Sequence, residues 1–134
     1  MTDEVKIELG YFYTNEHEWA KRDGDVVIIG VSDYAQSQLH EIVYVELPKV
    51  GAEVAQGEAI GAVESVKAVS DMYSPVTGKV VEVNDALLDS PEIINKDPYV
   101  GGWIAKVTPS DWDGNVSKLM DAEKYKAHVV SLKH

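Results

Sequence analysis

The sequence predicts a mainly β fold, a small sandwich or barrel, with a helix at its C-terminal end. Short apolar runs bounded by glycine and other turn residues fill the first two thirds of the chain, which is typical of many short strands. After Pro109 the apolar residues take up helical spacing. Because 134 residues suit one domain, we expect a single domain over 1–134, with a β core at about 11–108 and a helical segment at about 110–132.

Turn and capping residues define the first elements. Strands at 19–21 and 26–31 flank Asp23-Gly24-Asp25, which indicates a tight hairpin because glycine tolerates a positive φ. Ser32-Asp33 then offers side-chain oxygens that can cap a helix, so a short helix is expected near 33–39.

Further strands and turns follow this helix. Residues 42–47 are strand-like and stop at Pro48. Asn84-Asp85 and Asp89-Ser90-Pro91 indicate turns, and residues 103–107 indicate a last strand. Glycines separate the short runs between them: Gly51, Gly57, Gly61 and Gly78.

The C-terminal segment has the pattern of an amphipathic helix. Asp121 is a suitable N-cap, and Tyr125, Val129 and Leu132 fall on one stripe. We expect this helix to pack on the outside of the β core.

The charge and composition exclude several classes of protein. A net charge of -11 opposes binding to nucleic acid or to anionic membranes and favours partners with positive patches. The chain has no cysteine, hence no thiolate nucleophile, and no apolar run long enough to cross a membrane. The N-terminal residues MTDEVKIELG resemble neither a secretory signal nor a transit peptide, so a cytoplasmic location is expected.

Lys67 is the most informative residue of the β region. It lies among small and β-branched residues in AVESVKAVSDMYSP, and a charged side chain inside a buried strand would be costly. We therefore place it at the exposed tip of a hairpin with arms at about 59–63 and 76–83. A long, flexible primary amine at such a tip is a suitable handle for a covalently attached cofactor.

The residues around Lys67 resemble the lipoylation signature of the glycine cleavage system H protein family. The signature residues are Glu64-Ser65-Val66-Lys67-Ala68 and Ser70-Asp71. The resemblance extends from about Tyr11 to Trp103. It includes His17-Glu18-Trp19, the segment from Gly30 to Gln36 and the segment from Val43 to Pro48.

This resemblance implies a lipoyl-domain fold, a flattened β-barrel of two packed sheets (a barrel-sandwich hybrid). It also implies a carrier that is not an enzyme and that holds lipoate as N6-lipoyl-lysine at Lys67. A shuttle that must offer this tip to several enzymes is most simply a monomer. The implied partners are the P protein (glycine decarboxylase), which loads the aminomethyl group of glycine, and the T protein (aminomethyltransferase), which receives it. The L protein (dihydrolipoyl dehydrogenase) would reoxidise the arm, and a separate enzyme would attach the lipoate.

The resemblance also implies roles for three carboxylates. Glu18 and Asp71 match positions that contact the amine at the end of the loaded arm, and Glu64 lies in the motif that the attaching enzyme recognises. Both amine contacts could instead be solvated acids at strand ends. His40 stands where the family usually has glycine, so the exit of the first helix either has a strained backbone or is shifted.

Several alternatives remain open on the sequence alone. A lipoate relay would keep the lipoyl arm, whereas an acidic interaction module would carry Lys67 unmodified. Biotin carriers usually have methionines on both sides of the lysine, where this chain has Val66 and Ala68. An enzyme could use Glu18 and Glu64 as an acid/base pair. The four histidines lack the spacing of a metal site.

Overall fold

The computed structural model of the chain describes residues 5–132. In chain order, its elements are β1 (Phe12–Tyr13), β2 (Glu18–Asp23), β3 (Val26–Val31), α1 (Asp33–Leu39), β4 (Ile42–Glu46), β5 (Glu53–Val54), β6 (Ala59–Ser65), β7 (Val69–Tyr73), β8 (Gly78–Val83), α2 (Ala86–Asp89), α3 (Ile93–Lys96), β9 (Ala105–Pro109), α4 (Trp112–Val116) and α5 (Ala122–Leu132).

The strands form two antiparallel sheets. One has six strands in the order β1-β2-β3-β9-β8-β5, and the other has three in the order β4-β6-β7. The predicted mainly β, two-sheet fold with a C-terminal helix is confirmed, but the sheets keep separate edges and do not close into a barrel. A single apolar cluster includes Val27 and Val107 of the larger sheet and Val45, Val63 and Met72 of the smaller one. Burial of these side chains holds the sheets together.

The first hairpin and first helix form where local signals predict them. Gly24 has a φ of +64° in the two-residue turn between β2 and β3. Ser32 caps α1, and its hydroxyl accepts a hydrogen bond from the backbone N–H of Ala35 at 3.2 Å.

An aromatic cluster joins the larger sheet to α5. The Trp19 indole N–H donates to the carbonyls of Val31 and Pro98 at 2.9 and 3.1 Å. A side chain at Gly30 would collide with this indole, because its Cβ would lie 2.7 Å from the ring. The rings of Tyr13 and Tyr125 stack with centroids 4.2 Å apart, which fixes α5 against β1.

Three local predictions need correction. The stretch that includes Asp89-Ser90-Pro91 forms the short helices α2 and α3 on either side of Ser90, rather than turns alone. The last strand begins at Ala105 rather than at residue 103, and the Trp103 carbonyl just before it accepts a hydrogen bond from the Asn84 side-chain amide at 2.8 Å. Leu132, placed on the buried stripe of α5, is 47 % exposed. No helix within residues 5–132 has the length and apolar character that crossing a membrane requires.

His40 ends α1 in a strained conformation, with φ +67° and ψ −144°. The Asn95 amide holds this exit by donating to the His40 carbonyl at 2.7 Å. Because only glycine adopts such angles without strain, His40→Gly is expected to raise the free energy of unfolding by about 1 kcal/mol, measured by urea denaturation. Gln38→Gly, at an exposed position inside the same helix, should lower it by roughly 0.5–1 kcal/mol. A loss of stability in both variants would contradict the assignment of strain.

Candidate functional site

Lys67 lies at the tip of the β6–β7 hairpin, in the loop 66–68, and its side chain is exposed. Ser65 closes this loop. Its backbone N–H donates to the Ala68 carbonyl at 2.8 Å, and its hydroxyl accepts from the N–H groups of Lys67 and Ala68 at 3.3 and 3.1 Å. These hydrogen bonds hold the loop backbone, while the Lys67 side chain extends from it into solvent.

The hairpin has a different second arm from the predicted one. The partner of β6 is β7, whereas residues 76–83 include β8, which pairs with β5 and β9 in the larger sheet. The polar pair Ser70-Asp71 hides the strand pattern of β7. Met72, 2 % exposed, fixes the strand on the core.

Glu18 is buried at the start of β2, with 2 % of its surface exposed. One carboxylate oxygen accepts a hydrogen bond from the backbone N–H of Tyr73 at 3.1 Å, and the other accepts one from the Thr14 hydroxyl. The Thr14 hydroxyl also accepts from the backbone N–H groups of Glu16 and Glu18, both at 3.1 Å. Thr14 and Tyr73 were not predicted as site residues. The threonine-centred turn is a signal that could have identified Thr14.

Burial raises the pKa of Glu18 from 4.5 to about 7, although the hydrogen bonds from Thr14 and Tyr73 oppose the shift. Glu18 is therefore partly protonated at neutral pH. A cation placed beside it would lower its pKa again and favour the ionised form.

Glu18 lies in a cleft of about 620 Å³. Apolar surface comes from Leu119, Met120 and Tyr73, while Glu16 and Lys118 add charge. An elongated apolar group with a cationic end matches this combination of an apolar wall and a buried carboxylate.

β7 connects the hairpin tip with the cleft. Its four steps from Val69 to Tyr73 span about 13 Å, and Tyr73 both lines the cleft and binds Glu18. Asp71 is exposed partway along this strand and is not among the residues that line the cleft. The structure thus places Glu18, but not Asp71, in the cleft, while Glu64 lies near the tip opposite Val69.

His17 holds the cleft side of the molecule to α5. Its Nδ1 lies 2.9 Å from the Tyr125 hydroxyl, which is 2.7 Å from the Ser32 hydroxyl. Burial lowers the pKa of His17 to about 4, so the ring is neutral near pH 7. The segment His17-Glu18-Trp19 therefore supplies in turn a helix anchor, a cleft carboxylate and a core indole.

Comparisons with known proteins identify the family. The family model described as glycine cleavage H-protein matches residues 11–132. A probable glycine cleavage system H protein from Pyrococcus abyssi is 55% identical over 131 residues, covering 96% of each chain. The glycine cleavage system H protein of Anaeromyxobacter sp. (strain K) is 55% identical over 117 residues, covering 87% of this chain and 91% of its own.

A solved structure agrees with these sequence relatives. The crystal structure of a glycine cleavage system H protein from Mycobacterium marinum has a TM-score of 0.83 and 39% sequence identity, and the match covers 90% of this chain and 97% of that chain. The chain belongs to the glycine cleavage system H protein family.

Proposed function

We propose that this chain is the lipoyl carrier of glycine cleavage. It takes the aminomethyl group of glycine from the P protein (glycine decarboxylase) to the T protein (aminomethyltransferase), and the L protein (dihydrolipoyl dehydrogenase) reoxidises it. Family membership supports a carrier rather than an enzyme. The observation that carries the proposal is the exposed Lys67 at the tip of a hairpin whose backbone is closed by Ser65.

The residues fit a covalently held lipoyl group. Lys67 offers an accessible amine, and an amide there removes its charge. Leu119 and Met120 offer the cleft surface on which an apolar arm can lie. The bound lipoyl group supplies a disulfide that accepts and later releases the aminomethyl group.

Each carboxylate has a separate place along the route from tip to cleft. Glu64, near the tip, is proposed to be read by the enzyme that attaches lipoate. Asp71, exposed on β7, attracts the cationic end of the arm as it passes. Glu18 binds that cation in the cleft, where low solvent access strengthens the attraction. Thr14 and Tyr73 orient the Glu18 carboxylate for this contact.

A single domain over 1–134 that acts as a monomer suits this role, because three different enzymes must reach one tip. Tethering the arm to a rigid hairpin keeps its effective concentration high at whichever enzyme is bound.

The mass of the intact protein, produced with lipoate available, tests the proposal. We expect the mass of one lipoyl group, located on Lys67 by fragmentation. A biotinyl mass would assign the chain to another class of carrier. An unmodified chain, under conditions in which a known lipoyl domain is fully modified, would contradict the proposal and favour an acidic interaction module.

A further inference from the structure

Exposed apolar side chains are concentrated beside Lys67. Val43 and Tyr44 are each 47 % exposed, Val66 is 70 % exposed and Val69 is 65 % exposed. A shift in strand register at Ile42 and Tyr44 explains the first pair, because it lets two successive residues of β4 face away from the core. Packing among residues 5–132 leaves about half or more of the surface of each of these four side chains exposed.

Strand register places part of this group in one row across the outer face of the smaller sheet. Tyr44 is paired with Glu64, and Glu64 is paired with Val69. Directly paired residues lie on the same face of a sheet, so the row is continuous. Val43, Tyr44, Glu64, Val66 and Val69 are called the tip face below.

Carboxylates border the tip face. The next row of the sheet begins at Glu46 and ends at Asp71, both exposed, and Glu41 is exposed just before β4. Within the β6–β7 hairpin, residues 59–73, Lys67 is the one basic residue. The surface therefore has apolar side chains on both sides of the half-buried Glu64, and further carboxylates at its edge.

We propose that the tip face is the docking surface for the enzyme that attaches lipoate, and that this enzyme meets it with an apolar shelf bordered by Lys or Arg side chains. The inference rests on the proposed function and assigns new residues to it, chiefly Val43, Tyr44 and Val69. Opposite charges at the rim steer the approach, while the apolar side chains contribute contact area.

The enzyme that attaches lipoate must approach Lys67 more closely than the enzymes that act on the finished lipoyl arm. Attachment joins the Lys67 Nζ to the carboxyl carbon of lipoate, which arrives as an acyl adenylate. The amide bond forms as the bond to the adenylate oxygen breaks, AMP leaves with that electron pair, and the amine loses a proton. This carboxyl carbon must come to the lysine itself, so the enzyme is forced against the residues around the hairpin. Enzymes acting at the far end of the arm can stand further away.

Initial rates of lipoylation test the inference. Wild-type chain, Tyr44→Ala and Val69→Ala would be incubated at several concentrations with a lipoate–protein ligase, lipoate and ATP, and the added mass followed with time. We expect KM for the chain to rise at least threefold in each variant, with kcat within twofold of wild type. Val100→Ala is the matched control, since Val100 is 69 % exposed and lies beside Tyr11 and Trp19 rather than on the smaller sheet; the KM of this variant should stay within twofold of wild type.

The remaining outcomes separate this inference from the proposed function. Tyr44→Phe should keep the wild-type KM, because it retains the apolar ring. Added salt should raise the wild-type KM, since the rim contacts are ionic. If Tyr44→Ala and Val69→Ala behave like Val100→Ala while Lys67 is still modified, the docking surface is wrong and the carrier role stands. If wild-type Lys67 accepts no lipoate, the carrier role fails first. Thermal melting of each variant confirms that the fold is retained.

Discussion

Lys67→Arg is expected to abolish both lipoylation and glycine decarboxylation with the P protein, while leaving the fold intact. Arginine keeps the charge and reach of the side chain, but its guanidinium is permanently protonated and forms no amide with lipoate. Because Lys67 is exposed, the free energy of unfolding should change by no more than about 0.5 kcal/mol. Intact mass, thermal melting and release of CO₂ from glycine measure the three quantities.

Lys79→Arg is the matched control, because Lys79 is also an exposed lysine next to a strand turn of the β core. It should be lipoylated and active like the wild type. Full turnover by Lys67→Arg would contradict the covalent carrier mechanism, whereas loss of activity in both variants would point to a general effect of arginine.

Local signals explain which parts of the fold could be predicted. Gly24 alone allows the tight turn between β2 and β3, and Ser32 satisfies an N–H group at the start of α1. Each residue acts on backbone no more than a few positions away, so the local sequence is enough to predict the turn and the start of the helix. The exposure of Lys67 follows in the same way, because its loop is closed by the neighbouring Ser65.

Long-range contacts explain what could not be predicted. The strand β7 contains the polar pair Ser70-Asp71 and is recognisable only once β6 is beside it. The burial of Glu18 depends on Tyr73, 55 residues away in the chain. The apolar side of the cleft comes from Leu119 and Met120, at the other end of the sequence. A local sequence pattern cannot show that residues so far apart in the chain are in contact.

His40 shows a third case, in which the sequence poses a question that only packing can answer. The residue could have shifted the end of α1 or accepted a positive φ. The hydrogen bonds of Asn95 to the His40 carbonyl and to the Gln36 side chain fix the helix exit in place. The histidine therefore accepts the strain.

Glu18→Gln is expected to stabilise the fold and, at the same time, to release the loaded arm. The carboxylate has its pKa raised to about 7, so the folded state binds more protons than the unfolded state between pH 4.5 and 7. The contribution of Glu18 to the free energy of unfolding therefore falls as the pH rises from 4.5 to 7. Above pH 7 the penalty for the ionised carboxylate is on the order of 3 kcal/mol. Glutamine avoids this penalty, but its NH2 group replaces one of the two oxygens that accept hydrogen bonds from Thr14 and Tyr73, which reduces the expected net gain to about 1–2 kcal/mol.

The gain in stability should therefore depend on pH. Urea denaturation should show Glu18→Gln to be more stable than the wild type at pH 8, with the difference shrinking toward pH 4, where Glu18 is protonated in both states. Glu53→Gln is the control, since Glu53 is exposed on β5. It should change neither stability nor arm retention measurably.

Arm retention should change in the opposite direction. A cation in the cleft favours ionised Glu18, so the wild-type chain should hold the aminomethyl-loaded arm more weakly as the pH falls and the carboxylate is protonated. Glu18→Gln removes the charge but keeps the side chain's shape, so loss of formaldehyde and ammonia to water should be faster and no longer depend on this titration. A variant that is more stable yet loses the group at the wild-type rate would remove Glu18 from the arm site. Under the proposed function, ionised Glu18 has a counter-charge in the cleft only while the loaded arm is bound, so the same carboxylate would weaken the empty fold and favour the loaded one.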